Sequence, residues 1–162
     1  MAYSGLDRGV VKPDDLPARF LALRLIHFAL VSGLVMFGVV LCVSSQGKIS
    51  REPDFQNPFC QVAIALSGGS VLLAANLQRF FFHRSATPPD LTAALQRYSV
   101  FFMIRAACIE GGAVFAAVVT FLTHNILPFG LLAFGIAALA FYRPSRAEFE
   151  RLMGGGSSQE WQ

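Results

Sequence analysis

Residues 99–122 read SVFFMIRAACIEGGAVFAAVVTFL, twenty-four positions that carry only two charges, Arg105 and Glu110. As a helix this stretch extends about 36 Å at about 1.5 Å per residue, enough to cross a hydrocarbon layer about 30 Å thick. An unbroken apolar run of this length is written for lipid rather than for the interior of a small soluble domain.

Three further runs flank it. Leu21 to Val43 is interrupted only by Arg24, His27 and Ser32, Phe59 to Gln78 carries Ser67-Gly68-Gly69-Ser70 at its middle, and Ile126 to Tyr142 is shorter and ends at Arg143-Pro144. The expected architecture is all-α: an integral membrane four-helix bundle made of two helical hairpins, with spans near 21–43, 59–78, 99–122 and 126–142 inside a transmembrane domain 21–142. Polar loops separate the runs, and Asp90 after Pro88-Pro89 is placed to cap a short helical run Leu91 to Gln96. No cleavable leader is expected, because the first apolar run has the length of a span.

The whole chain agrees with this reading. Of its 162 residues 54% are hydrophobic and 14% charged, far from the balance of a soluble globule. The formal charge of +3 comes from basic residues at the ends of apolar runs, which form no stripe, so no nucleic-acid partner is expected. Ten of the thirteen Lys and Arg fall in the N-terminal segment with the start of the first run, the middle loop and its flanks, and the C-terminal segment. Lys48 and Arg51 are the basic residues of the first loop, and Arg105 lies inside a span. The excess of positive charge on cytoplasmic segments then places both termini, 1–20 and 143–162, in the cytoplasm.

Shifting the chain by 78 residues lays Arg19, Ile26, Ala29, Gly33, Phe37 and Val40 on Arg97, Ile104, Ala107, Gly111, Phe115 and Val118. These six identities raise a parallel internal duplication as one reading, chance matching in an apolar alphabet as the other. Ala29 with Gly33, Ala107 with Gly111, and the pair Gly68 and Gly69 offer small faces at which helices can approach closely.

Glu110 is the residue most informative about function. Near the middle of its span, its carboxyl must be neutral, paired or wetted by a cavity. Arg105 lies about 140° from it around the helix, so its partner is expected on another helix or subunit, with its stem free to snorkel toward headgroups. In the first copy of the repeat His27 stands where Arg105 does and Ser32 where Glu110 does, which keeps polarity at those depths. Phe80-Phe81-Phe82 and Phe101-Phe102 read as interfacial anchors.

No enzymatic constellation stands out. Ser-His-Asp, glycine-rich phosphate-loop and H-E-x-x-H patterns are missing from the sequence, and His27, His83 and His124 fall at different depths, so neither a catalytic site nor a metal or cofactor is expected. Cys42, Cys60 and Cys108 lack metal-ligand spacing; Cys42 and Cys60 fall near the same side, which leaves a disulfide open beside the reading as apolar fillers.

Residues 88–122, PPDLTAALQRYSVFFMIRAACIEGGAVFAAVVTFL, resemble the second helix of the proteolipid (c) subunit of rotary ATPases in two features: Pro89-Asp90 in a polar loop, and Glu110-Gly111 in the following apolar helix. The resemblance implies that Glu110 carries a proton or cation. The preceding helix lacks the family's repeated Gly-x-Gly face, Arg105 has no counterpart there, and the chain is about twice the family's hairpin. The expected function is therefore a non-enzymatic membrane subunit that self-assembles or accompanies other membrane subunits, with the lipid bilayer as its surroundings and an ion pathway through Glu110 as the alternative.

Overall fold

The computed structural model describes residues 16–45, 48–82 and 91–153, apart from the side chains of 80–82 and 153. Five helices run through them: α1 Leu16–Ser44, α2 Pro58–Phe82, α3 Leu91–Thr123, α4 Ile126–Phe141 and α5 Arg146–Met153. The expected cap at Asp90 and His83 lie outside the described residues. The interfacial reading of Phe80 to Phe82 rests on side chains that also lie outside them.

Local chemistry explains where the helices begin. Asn57 accepts the Phe59 N–H on Oδ1 at 3.0 Å, and Pro58 follows at the first helical position, where its missing N–H costs nothing. Asn125 caps α4 the same way, accepting the Leu127 N–H at 2.8 Å. The reversal between α3 and α4 needs a left-handed residue, and His124 supplies it at φ 51°. The short run expected at Leu91 to Gln96 merges into α3, because no Gly or Pro separates it from the span.

Helices α1, α2 and α3 are long and apolar enough to cross a membrane. Helix α4, at 16 residues, extends about 24 Å; it meets α5 at a 76° bend, and the two pass the same test only when taken together, as a broken span or a re-entrant loop.

Helix α3 is the centre of the packing, meeting α2, α4 and α1, with its tip against α5. Helix α4 also touches α1 and α2, whereas α1 and α2 are not packed side by side. The second expected hairpin, α3 with α4, packs across its short turn; the first is opened, with α3 and α4 as the short diagonal between its arms. Burial follows this arrangement. Helix α1 buries one narrow stripe, Phe20, Leu23, Leu34 and Leu41, while α3 buries one broad continuous face along most of its length, from Ala94 to Thr120. The two copies of the suspected repeat thus occupy different surroundings.

The two ends of the bundle are distinct. At one end Phe20 of α1, Tyr98 of α3 and Phe149 of α5 stack with ring centroids 5.5–5.9 Å apart. Helix α2 runs antiparallel to α3, with Cys60 beside Val119 and Ser67 beside Gly112, which brings Arg79 to this same end. At the other end, Ser50 donates its N–H to the His124 carbonyl at 2.7 Å and accepts the Ile126 N–H at 3.1 Å, clasping the first loop to the α3–α4 turn. Arg24, Arg79, Arg97 and Arg143 gather at the first end, called the basic end below.

Close helix approach runs through glycines other than those the sequence singles out. A Cβ on Gly135 of α4 would stand 2.6 Å from the Ala113 Cβ, and one on Gly112 would stand 3.0 Å from the Ser67 Cα. That closeness lets Ser67 donate to the Gly112 carbonyl at 2.9 Å inside the bundle. Gly33, Gly68, Gly69 and Gly111 have nothing within 4 Å of such a Cβ, and Ala29 and Ala107 are exposed. Within one chain these residues do not form the contacts expected of them: α2 meets α3 at Gly112 rather than Gly111, and through Ser67 rather than Gly68. All three cysteines are free thiols, Cys42 exposed and Cys60 buried.

Candidate functional site

The polar centre of the molecule lies near the basic end, where α5 folds back against α3. Ser145, ahead of α5, accepts the Glu148 N–H on its hydroxyl at 3.1 Å, one half of a Ser-x-x-Glu capping box. The other half is missing, since the Glu148 side chain does not return to the Ser145 N–H. It crosses instead to α3, where Arg105 grips both oxygens: Nη1 to Oε1 at 2.9 Å and Nη2 to Oε2 at 3.3 Å.

Tyr98 completes the arrangement from the same face of α3, about two turns nearer its start. Its hydroxyl donates to Glu148 Oε2 at 2.9 Å and accepts the Ser145 N–H at 3.3 Å, which satisfies the donor that the carboxylate left behind. The Arg105 guanidinium carbon also stands 4.7 Å from the ring centroids of both Phe101 and Tyr142. The side chains of Arg105 and Glu148 are 4% and 15% exposed, so each charge depends on the other for compensation. Arg105 Nε, in contrast to its two paired nitrogens, is buried without a partner among the described residues.

Snorkelling is therefore replaced by pairing. Arg105 lies on the face of α3 that carries Tyr98, Phe102 and Ile109 into the bundle, so its stem runs inward and the tail brings the counter-charge to it. Phe101 and Phe102 are at most 1% exposed and pack in the core rather than anchoring at an interface. The capping-box spacing at Ser145 marks the start of α5 in the sequence; the partnership across 43 positions has no sequence signal.

The other residues expected to carry function are not brought to this centre. His27 stacks near Phe102 with centroids 5.9 Å apart, and its Nδ1 has no hydrogen-bond partner. Ser32 is half-buried on α1. Glu110 is half-buried at the margin of α3's packed face, and among the described residues it makes no hydrogen bond or ion pair. Its neighbours Ala107 and Gly111 face outward. Among the described residues no group of His, Cys, Asp and Glu is arranged to hold a metal ion.

The fold and this centre define an all-helical protein with at least three helices able to span a membrane. Comparison with protein-family models, curated proteins and solved structures found no match.

Proposed function

We propose that the protein is a non-enzymatic membrane subunit that assembles with further copies of itself, using the outward face of α3 around Ala107, Glu110 and Gly111. The observation that carries this reading is the half-exposed Glu110, which has no hydrogen-bond or ion-pair partner among the described residues. A charged side chain at mid-span costs on the order of 3 kcal/mol against lipid, so covering it by another chain is favoured. The small residues beside it allow that chain's backbone to come close.

In this reading α4, with its bend into α5, is the fourth crossing. Both termini are cytoplasmic, which the gathering of basic residues at one end of the bundle supports.

Mass measurement in detergent tests the assembly. Wild-type protein should run as a multimer and Gly111→Leu as a monomer of unchanged thermal stability; a monomeric wild type would overturn self-assembly. A second reading, a proton or cation pathway, is favoured by the commitment of Arg105 to Glu148, which leaves Glu110 with no neutralising cation among the described residues. Under it Glu110→Gln preserves the multimer and abolishes flux in reconstituted vesicles. As a purely adhesive group, Glu110 gives no flux in either form.

A further inference from the structure

At the basic end a groove of about 660 Å³ opens between α1 and the corner where α4 turns into α5. Arg24 and His27 from α1 and Arg143 from the corner line it, with Leu25, Phe28 and Val31 continuing along α1. Among the described residues no carboxylate borders it, in contrast to the neighbouring cleft of about 450 Å³, which holds Glu148. Arg24 and Arg143 are exposed and have no hydrogen-bond or ion-pair partner among the described residues; the ion pairs there use Arg105 and Arg146 instead. His27 adds a ring nitrogen, Nδ1, that is likewise without a partner.

We propose that this groove binds one acidic phospholipid, with its phosphate between the guanidinium groups of Arg24 and Arg143 and an acyl chain along Leu25, Phe28 and Val31. Guanidinium forks match phosphate oxygens in charge and geometry. The volume falls in the range of sites for small molecules, about 300–1,000 Å³. Leu25 and Phe28 are 61% and 70% exposed, and they follow Arg24 toward the middle of the bundle, so an acyl chain covers what a water-soluble phosphate would leave bare. The proposal rests on the membrane reading and on the basic end facing the cytoplasmic leaflet, where acidic lipids attract basic segments.

The test uses the full chain purified in mild detergent, with lipid retention read by native mass spectrometry against added phosphatidylglycerol and phosphatidylcholine. Wild type should retain phosphatidylglycerol at least tenfold better. The double variant Arg24→Gln with Arg143→Gln should lose that preference to within about threefold, while Arg19→Gln with Arg79→Gln, two exposed arginines outside the groove, should keep it.

Equal loss in both double variants would show a diffuse charge effect and overturn the proposal. So would displacement of the lipid by millimolar glycerol phosphate, which would make this a site for free phosphate. Should the groove variant fail to fold, a photoreactive phosphatidylglycerol on wild-type protein decides: label on the peptides carrying Arg24 and Arg143 supports the site, and label elsewhere overturns it. Recovery of the chain outside the membrane fraction of cells would instead remove the membrane reading beneath it.

Discussion

The guanidinium of Arg105 and the carboxylate of Glu148 meet in a two-pronged pair at 2.9 and 3.3 Å, joining the central helix to the tail helix across 43 positions of chain. A cation within a span is thereby neutralised by a residue from outside it. The pair, with the aromatic contacts of Phe149, is what holds α5 against the bundle.

Removing one member of the pair leaves the other charged and buried. Glu148→Ala should therefore destabilise the protein by about 3–5 kcal/mol, whereas Arg105→Met with Glu148→Leu should recover most of the loss by replacing two charges with apolar contacts. Thermal unfolding in detergent reads both variants. A single variant that melts with wild type would show that the pair holds nothing.

Tyr98→Phe keeps the ring stacking with Phe20 and Phe149 but leaves the Ser145 N–H and one Glu148 oxygen short of a partner. The expected cost is about 1–2 kcal/mol, concentrated at α5. Limited proteolysis should cut the tail several-fold faster while the remaining helices stay protected; an unchanged cutting rate would contradict the assigned role of the hydroxyl.

Glycines separate into two classes by what stands opposite them. Gly135→Leu and Gly112→Leu force side chains against Ala113 and Ser67 and should cost at least about 1–3 kcal/mol by overpacking. Gly33→Leu and Gly68→Leu meet nothing within 4 Å and should leave the melting temperature of the single chain within a degree or two. Equal sensitivity at all four positions would refute this division.

Asn125 both caps α4 and reaches across to the Glu52 carbonyl at 3.4 Å. Asn125→Ala should cost about 1 kcal/mol, mostly through the lost cap, and raise hydrogen exchange at Ser50 and Ile126, whose N–H groups form the clasp beside it. Unaltered exchange at those two amides would place the clasp's stability elsewhere.

Reporter fusions test the orientation. A reporter after Lys48 and one after Gln162 should report opposite sides of the membrane, as expected from the excess of Lys and Arg at the basic end. The same side for both would mean an even number of crossings between them, not the three proposed for α2, α3 and α4.

What the sequence by itself determined is local. The lengths of the apolar runs define the long helices, and Asn57-Pro58, Asn125 and the Ser145-x-x-Glu148 spacing mark where three of them start, because capping and periodicity act within a few residues. The tertiary structure decided which faces meet: Gly112 and Gly135 rather than Gly33 and Gly111, an opened first hairpin, and Glu148 rather than a subunit or a headgroup as the partner of Arg105. In helices written for lipid, the residues that face a neighbour and those that face acyl chains are both apolar, so hydrophobicity does not say which side is inside. Only the packed arrangement supplies that, and with it the contrast between a paired Arg105 and, five residues along the same helix, a Glu110 with no partner among the described residues.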